Sequence, residues 1–535
     1  MNGPPPFVVS APSGLETTEV GGSVTFTVRL AYAPTSPVRV ALTSSDPTEA
    51  VVSPATLELT GADFATERTV TVTGVLDAVR DGDVPFEVRI GPAQSDDPSF
   101  SGRAAAPIAL TNAERLAATY TEYDVNHILS TGQSNAVGEE SFTVLSTGQP
   151  YGNLMFDRGV MTILPSSCND AQCNAREVPG GFLPLREGDR YYGNDQAAGR
   201  ETLSSGMANQ ISKLALEHFF VGTPLDAHDS LVSIHARSGT NYLCLRAAGC
   251  TWHPGEVKAF DEGMLQVSEA KALAASQGKS YVVRGVTTVH GEDDHYLPQF
   301  LPTATYAAAL IEWQHDYETR VQALTGQEEP VPLFVMQLSG WKNDKKYSLV
   351  SEDQYNAHLL APGKVVLVAP AYMLTYAGTG CLHYTSASQR RMGEYFAKAY
   401  AQTVFGRSPW EPLRPREITR AGRVLTVRYR VPVPPLAFDT MAVSNPGNYG
   451  FAYTNAQDMP QAVEAVTITG PDTVQITLAA DPGGAGFLRY AEASDYAACP
   501  RPGSRGNLRD SDPTPSQSGG QPLRNWGVGF RLAVP

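Results

Sequence analysis

The feature that most constrains the fold is an alternation of apolar strand-like runs with longer helical runs between residues 124 and 403. The strand-like runs are short and rich in β-branched residues, and they read VNHILST, SLVSIHA, YVVRGVTTV, VPLFVMQL and KVVLVAP. Strands of this kind are buried on both faces, and the helices between them connect parallel neighbours. The alternation predicts a three-layer α/β/α domain around a parallel sheet, with ligands beyond the carboxyl ends of its strands.

Two β-rich segments flank this region. Residues 7–112 contain alternating runs such as SVTFTVRLAY and ERTVTVTGV, and residues 415–535 contain RVLTVRYRVPVP and TVQITLAA after the Pro-rich break SPWEPLRP. Short alternating strands between turn clusters are typical of β-sandwiches. We therefore expect an N-terminal sandwich over residues 1–112, an α/β domain over 113–407 and a C-terminal sandwich over 408–535.

The N-terminal segment SSDPTEAVVSPATLELTGADFATERTVTVTGVLDAVRDGDVPFEVRI resembles bacterial extracellular Calx-β-like modules. The resemblance implies an accessory or spacer role. A structural Ca²⁺ is one expectation, because hard cations take oxygen ligands, although solvated turn aspartates are the favoured alternative. The candidate ligands are Asp46, Asp77, Asp81 and Asp83.

The net charge of the chain restricts the classes of molecule that it is expected to bind. A formal net charge of -15 argues against nucleic acid, since a phosphate backbone requires clustered Lys and Arg. No run of about 18 consecutive apolar residues occurs, which argues against a membrane span. A neutral carbohydrate or an uncharged ester is the expected partner.

Six cysteines indicate an oxidising compartment. Four of them form two closely spaced pairs, and local disulfides are favoured over zinc because neither pair is CxxC and no His cluster accompanies them. The pairs are Cys168 with Cys173 and Cys244 with Cys250. Cys381 and Cys499 form a third bridge or remain two buried thiols. The start MNGPPPF shows no signal peptide, and we expect a secreted or cell-surface protein from which it has been removed.

The first chemical motif is HILSTGQSNAVGEE, in which a strand runs into Gln133, Ser134 and Asn135. A serine at the carboxyl end of the first strand points into the crevice, and its own N–H group is placed to bind an oxyanion. Gly132 permits the tight turn. The alternative is that Ser134 and Asn135 are ordinary N-cap residues.

Two later motifs follow other strands. SLVSIHARSGTNY places Gly239 beyond its strand, where a glycine N–H group approaches a substrate oxygen or simply forms a turn. YVVRGVTTVHGEDDHY places His290 before three carboxylates, a cluster that is costly unless it is solvated or functional. A metal site using His290, His295 and these acids is the minor alternative, because no HExxH spacing exists.

The fourth motif, GCLHYTSASQRRMGEYFA, places His383 just before a helix. Ser386 and Gln389 mark the helix start as an S-x-x-Q capping box. The positive end of the helix dipole disfavours an imidazolium ion, so a base here needs a carboxylate partner. Glu292 is the first candidate, followed by Asp294 and Asp293. The buried stripe of the helix is predicted at Met392, Phe396 and Ala399.

The serial order of these motifs resembles the GDSL/SGNH hydrolases, over about residues 124–403. GQSN with a later GED block is most similar to the sialate O-acetylesterase-like branch, which includes acetylxylan esterases. The resemblance implies Ser134 as nucleophile, His383 as base and Gly239 in the oxyanion hole.

Two positions depart from this family pattern. Gly380 stands where many relatives have an Asp three residues before the histidine, so the acid must come from elsewhere. In some relatives the Glu of the GE block has been proposed, which points to Glu292. His290 stands where relatives usually have Gln, and its neutral imidazole is the expected third donor to the oxyanion.

Together these motifs predict a serine esterase that uses no cofactor or metal. The resemblance implies that it hydrolyses acetyl or other short acyl esters, and carbohydrate is the expected substrate. Residues 139–195 form a long insertion that is expected either to shape the pocket or to form a peripheral flap tied by a disulfide. The residues expected to line the pocket are Gln133, Asn135, Asn241, Tyr151, Tyr191 and Tyr192. The alternatives are a catalytically inactive glycan-binding or adhesive surface protein, and a longer-chain lipase or polyesterase.

Overall fold

The spatial arrangement of the chain is given by a computed structural model. It describes residues 5–19, 22–75, 83–113, 116–117, 119–161, 178–188, 199–220, 223–251, 257–339, 349–378, 382–492 and 505–534. Two compact units result, one of Met1–Tyr120 with His218–Pro224 and one of Thr121–Glu217 with Leu225–Pro535. The three-domain boundaries at residues 112 and 407 stay predictions.

The first unit is a β-sandwich, as the alternating pattern predicts. Its strands are β1 (Phe7–Val9), β2 (Glu16–Thr18), β3 (Ser23–Leu30), β4 (Val38–Ser44), β5 (Ala50–Ser53), β6 (Thr56–Leu59), β7 (Arg68–Gly74), β8 (Val84–Gln94) and β9 (Ile108–Ala113). They form two sheets of order β1-β3-β7-β5 and β2-β9-β8-β4-β6. Inward residues of both sheets, such as Phe26 and Val40, share one buried core.

Asp46 of this unit behaves as a turn aspartate. Its carboxylate accepts from the Thr48 hydroxyl at 2.5 Å and from the Thr48 N–H group at 3.0 Å, and these bonds lower its pKa. Asp77 and Asp81 lie outside the described residues. Within the described ranges, no group of three or more His, Cys, Asp or Glu is arranged to hold a metal ion. A structural Ca²⁺ here stays a prediction.

A seven-stranded sheet forms the centre of the second unit. Its strands are β10 (Val125–Gly132), β11 (Leu154–Phe156), β12 (Phe182–Pro184), β13 (Ser230–Ile234), β14 (Tyr281–Val289), β15 (Leu333–Gln337) and β16 (Val365–Pro370). The order is β12-β11-β13-β10-β14-β15-β16, and all neighbours are parallel except β11 and β12. The predicted parallel sheet is confirmed, and the insertion after the Ser134 turn adds two strands to one edge.

Helices cover both faces of this sheet. They are α1 (Leu203–Leu214), α2 (Tyr242–Leu245), α3 (Ala259–Ser276), α4 (Glu292–Tyr296), α5 (Tyr306–Thr325), α6 (Leu349–Leu360) and α7 (Ser386–Tyr400). α1 packs against α7, whereas α5 packs against α3 and α6, so the domain has three layers. α6 is an addition to the runs seen in the sequence. Among the described helices, none has the length and apolar character needed to cross a bilayer.

The strand order fixes where the chemistry can occur. β10 is the first strand of the sheet, and it lies between β13 and β14, with which it pairs on opposite sides. A crevice opens outside the carboxyl ends of two adjacent strands when their connections run toward opposite sides of the sheet. The Ser134 turn follows β10 at this end.

The C-terminal part of the second unit is antiparallel. Its strands are β17 (Arg414–Ala421), β18 (Val424–Arg430), β19 (Ala437–Phe438), β20 (Phe451–Asn455), β21 (Pro460–Gln461), β22 (Val463–Ile468), β23 (Thr473–Leu478), β24 (Gly486–Tyr490), β25 (Leu508–Arg509) and β26 (Phe530–Val534). They form sheets of order β17-β18-β23-β22, β21-β20-β24-β26 and β19-β25. The buried Lys398 of α7 donates to Asp512 at 2.7 Å and Asn525 at 2.8 Å, which fastens this part to the helical layer.

Two glycines allow α1 and α7 to approach closely. A Cβ atom on Gly393 would lie 2.2 Å from the carbonyl oxygen of Leu203, and one on Gly206 would lie 2.2 Å from that of Arg390. Both distances are far below van der Waals contact with rigid backbone atoms. The contact matters for the site because α7 begins three residues after His383.

We predict that Gly393→Ala destabilises the protein by about 1–3 kcal/mol, because the added methyl group forces the helices apart. The sign of the change in the free energy of unfolding is informative. In a helix without this contact, alanine would be more stable than glycine by about 1 kcal/mol. Urea denaturation followed by circular dichroism measures the change. Gly484→Ala is the matched control, because a Cβ atom there meets no atom within 4 Å. Equal midpoints for Gly393→Ala and wild type would contradict the prediction.

Candidate active site

The turn that carries Ser134 is held tightly against the neighbouring strand. Gly132 ends β10 with φ +128°, and a Cβ atom on it would lie 2.3 Å from the carbonyl oxygen of Val289. The Gln133 carbonyl accepts from the Ala136 N–H group at 2.9 Å, which closes the turn. Ser134 is 7% exposed at the carboxyl edge of the sheet. Only glycine fits the position before this turn, which agrees with the role predicted for Gly132.

The loop after β13 lies beside this turn. The Arg237 N–H group donates to the carbonyl of Gly132 at 3.0 Å, and the Ser238 hydroxyl donates to the Glu139 carboxylate at 3.0 Å. Gly239 follows with φ +62°, and no atom of the described residues lies within 4 Å of the position that a Cβ atom would take. The loops that carry Ser134 and Gly239 are therefore adjacent.

Two backbone donors are available on these loops. Among the described residues, the N–H groups of Ser134 and Gly239 make no hydrogen bond within the protein. Unused N–H groups at the rim of a crevice are the donors that an oxyanion hole requires. The arrangement can therefore stabilise negative charge on an oxygen bound above Ser134.

Both nitrogens of the His290 imidazole make contacts within the protein. Its Nδ1 lies 2.6 Å from the Tyr306 hydroxyl and its Nε2 lies 2.9 Å from the Thr240 carbonyl oxygen. Burial lowers the pKa of His290 to about 4, so the ring is neutral and Nε2–H donates to Thr240. The expectation that His290 donates to the oxyanion is corrected here, because both ring nitrogens are occupied. His290 instead holds the carbonyl of Thr240, the residue that follows Gly239.

The side chain of Asn135 joins three separate segments. Its Nδ2 group donates to Glu292 Oε1 at 2.7 Å and to the carbonyl of Leu382 at 3.0 Å, across 247 positions of sequence. Asn135 is fully buried, so these bonds are shielded from water. The residue after Ser134 is thus fastened to the residue before His383.

Further bonds tie the same segments together. The Ser141 hydroxyl donates to the carbonyl of Tyr384 at 2.9 Å, and the Gln389 amide donates to the carbonyl of Asn135 at 3.0 Å. The predicted capping role of Gln389 is corrected by this contact. The N-cap of α7 is Thr385, whose hydroxyl accepts from the Ser388 N–H group. The predicted stripe of Met392, Phe396 and Ala399 is buried.

The carboxylate beside the His383 ring is that of Glu140. Its Oε1 lies 3.2 Å from His383 Nδ1, within ion-pair distance. The angles do not make this contact a hydrogen bond, and Nδ1 is buried without an aligned acceptor among the described residues. Sequence reasoning did not identify Glu140, because nothing in the GEE tripeptide distinguishes it from a solvated glutamate.

The three carboxylates of the GEDD block lie elsewhere. Glu292 Oε1 is bonded to Asn135, and its Oε2 is buried without a partner among the described residues. Asp294 accepts from the Tyr242 N–H group at 2.9 Å and Asp293 is half-buried. Burial raises the pKa of Glu292 and that of Asp294 to about 7 each, and it also raises the pKa of Asp293. The described hydrogen bonds connect Glu292 to the His383 segment through Asn135.

The other residues predicted to line the pocket lie in different parts of the structure. Gln133 is buried and its Oε1 faces the N–H groups of Asp293 and Gly291 at 3.3 and 3.5 Å. Asn241 precedes α2 and is half-buried. Tyr191 and Tyr192 lie outside the described residues.

The expected position of Tyr151 in the pocket is corrected. It precedes β11, whose Leu154 pairs with Leu231 at the start of β13. Tyr151 therefore lies at the amino edge of the sheet, where Lys213 and Glu217 are its charged neighbours. The Ser134 turn lies at the carboxyl edge of the sheet. The insertion that follows this turn returns to the amino edge before β11 begins.

One predicted disulfide is confirmed. Cys244, within α2, is bridged to Cys250 in the loop that follows this helix. Cys168, Cys173, Cys381 and Cys499 lie outside the described residues, so their pairing stays a prediction.

Comparison with known proteins gives structural similarities at low identity. The sequence matches no protein-family model and no curated protein. The chain is similar to a novel carbohydrate acetylesterase from Xanthomonas citri at 13% identity and a TM-score of 0.46, over 98% of this chain and 99% of that one. A part of the chain, 20%, is similar to WR4, a C. elegans MSP family member, over 97% of its length at 10% identity and a TM-score of 0.15. These values carry no conclusion about activity, which rests on the site geometry.

We predict that Glu292→Gln reduces the loss of stability between pH 4.5 and 7. The folded state binds the Glu292 proton more tightly than the unfolded state, because burial raises the pKa from 4.5 to about 7. Wild-type stability therefore falls as pH rises through this window, by about 3 kcal/mol from this group. Urea denaturation at pH 5 and pH 8 measures the difference between variant and wild type.

The variant should gain stability relative to wild type at pH 8 and not at pH 5. Gln keeps an acceptor for the Asn135 amide while removing the buried charge. The exposed Glu328→Gln is the control, and it should not change the pH profile. A Glu292→Gln difference that is the same at both pH values would contradict the assignment.

Proposed function

We propose that this protein is a serine esterase in which Ser134 is the nucleophile and His383 is the general base. The observation that carries the proposal is the Asn135 cross-link, which fastens the residue after Ser134 to the residue before His383. The Ser141 bond to Tyr384 supports it from the other side of the histidine. The proposal therefore puts the two side chains at one rim of the sheet, next to the N–H groups of Ser134 and Gly239, which make no hydrogen bond to the described residues.

The proposed reaction is a two-step acyl transfer. His383 takes the proton of the Ser134 hydroxyl while its oxygen attacks the carbonyl carbon of the ester. The N–H groups of Ser134 and Gly239 bind the resulting oxyanion. The imidazolium then protonates the departing alcohol oxygen, and water hydrolyses the acyl-enzyme with the same histidine as base.

The imidazolium intermediate requires nearby negative charge. His383 precedes α7, whose N-terminal end carries the positive pole of the helix dipole. A cation at this end is disfavoured unless a carboxylate balances it. Two carboxylates are candidates, Glu140 by direct contact and Glu292 through Asn135.

Acetyl or other short acyl esters of carbohydrate are the substrates that we propose. Only a small part of the Ser134 side chain is accessible, which favours a compact acyl group. The net charge of -15 disfavours polyanionic partners and is compatible with a neutral sugar. The alcohol part follows from the family resemblance of the motifs, and no cofactor takes part in the scheme.

We also propose an extracellular or cell-surface location. The Cys244–Cys250 bridge supports it, because disulfides persist in oxidising compartments and are rare in the cytosol. The Calx-β-like resemblance of the N-terminal unit agrees with that location.

We predict that Ser134→Ala and His383→Ala each lower turnover of p-nitrophenyl acetate on the order of 10⁴-fold or more, because the nucleophile and its base act as a unit. Release of p-nitrophenolate at 405 nm measures it. Ser276→Ala is the matched control, since the described contact of its exposed hydroxyl is a hydrogen bond to the Leu273 carbonyl. Equal release by wild type and Ser134→Ala would instead favour a catalytically inactive glycan-binding protein.

A second prediction concerns acyl length. The kcat/KM for p-nitrophenyl esters should fall from acetyl to butyryl to octanoyl, because a longer chain must displace the packed loops around Ser134. Initial rates with the three esters at equal concentration give the comparison. A maximum at octanoyl would replace the acetylesterase proposal with a lipase or polyesterase.

A further inference from the structure

The histidine proposed as base is approached by a carboxylate from the nucleophile's own loop. Glu140 Oε1 lies 3.2 Å from His383 Nδ1, with 16% of the histidine side chain and 45% of the glutamate side chain exposed. The loop cannot move away freely, because the neighbouring Ser141 is bonded to Tyr384 and Asn135 is bonded to Leu382. Glu140 is therefore held opposite the ring by bonds on both of its sides.

The backbone of Glu140 has an unusual conformation for a glutamate. Its φ is +61°, in the left-handed region that glycine adopts more readily than other residues. The turn alone would favour glycine at this position. A side chain kept in a disfavoured conformation needs a compensating contact, and the described contact of this side chain is with His383.

The Glu292 carboxyl group is poorly suited to the same task. Its Oε1 is bonded to the Asn135 amide. Burial raises its pKa to about 7, so it carries only part of a negative charge near neutrality. Stabilising an imidazolium ion requires an ionised carboxylate at the ring nitrogen that faces away from the nucleophile.

We propose that Glu140 is the positioning carboxylate of His383, an inference that rests on the proposed esterase function. At 3.2 Å a rotation of the Glu140 carboxylate is enough to align Oε1 with Nδ1–H. In the proposed active arrangement the carboxylate accepts this hydrogen bond, which fixes the tautomer that leaves Nε2 as the basic nitrogen. It then balances the positive charge that forms when Nε2 takes the Ser134 proton. The acid of this site therefore follows the nucleophile in the chain. No carboxylate is then required at position 380, where this chain has glycine.

The test uses Glu140→Gln, Glu140→Asp and Glu140→Gly in the full chain, with p-nitrophenyl acetate. Glu140→Gln and Glu140→Gly should lower kcat by ~10²–10⁴-fold with little change in KM, and Glu140→Asp should retain part of the activity. The melting temperature of Glu140→Gly should equal or exceed that of wild type, because glycine suits φ +61°. Lower activity without lower stability separates positioning from a structural role.

Chemical rescue gives a readout that a structural role would not produce. The Glu140 side chain is partly exposed, so its removal leaves a space beside Nδ1 that formate can enter. Adding sodium formate should raise the kcat of Glu140→Gly in a saturable way, and sodium chloride at equal ionic strength should not. Formate should not raise the rate of wild type, Ser134→Ala or the control Glu328→Gln.

The outcomes distinguish this inference from the function on which it rests. Wild-type kcat in Glu140→Gln, with an inactive Ser134→Ala, overturns the role of Glu140 and leaves the esterase proposal standing. A large loss in Glu292→Gln alone would assign the role to Glu292. Equal release by wild type and Ser134→Ala overturns both proposals.

Discussion

The buried amide of Asn135 is the interaction on which the arrangement of the site depends. It donates simultaneously to a carboxyl oxygen from the α4 segment and to a backbone carbonyl from the segment before α7. Both acceptors come from parts of the chain that are remote in sequence. A buried donor without a partner is costly, by about 1–3 kcal/mol per group. Separating these segments would expose or orphan both bonds at once, so the Ser134 turn and the His383 loop are linked energetically as well as spatially.

The close packing of the helical layer supports the same arrangement. Gly206 and Gly393 let α1 and α7 touch through their backbones, and Lys398 fastens α7 to the C-terminal sheets. Because His383 lies just before α7, the position of that helix sets where the imidazole can reach. The C-terminal β-sheets thus contribute to the site without providing any of its reactive groups.

Burial also distributes charge unevenly around the site. The carboxyls of Glu292 and Asp294 are buried, which raises the pKa of each to about 7. The Glu140 carboxylate lies in a partly exposed position beside the histidine. Water stabilises an ionised carboxylate, whereas a buried one becomes protonated more easily. The site therefore separates a carboxyl that organises hydrogen bonds from a carboxylate that can balance a transient cation.

The periodicity of the chain allowed the parallel sheet, the helices on its faces and the edge that carries Ser134 to be predicted, because these depend on burial within short segments. The Cys244–Cys250 bridge was predictable for the same local reason. Gln389 and His290 were misassigned because their roles depend on contacts with remote segments. Tyr151 was misassigned because the insertion returns to the amino edge of the sheet before its first strand begins. Gln389 fits a local capping box yet donates to Asn135, 254 positions away. Local spacing and tertiary contact compete for the same polar group, and tertiary contact wins where the group is buried.

Glu140 illustrates the limit of such reasoning most clearly. Its value to the site comes from a left-handed backbone conformation and from the return of the chain at His383. Neither leaves a trace in residue spacing, since a glutamate after a glycine-containing turn is ordinary on any protein surface. The family pattern directed attention to the position three residues before the histidine, where this chain has Gly380. An acid supplied by the nucleophile loop removes the need for one there, because what the imidazole requires is a carboxylate at Nδ1, whichever segment delivers it.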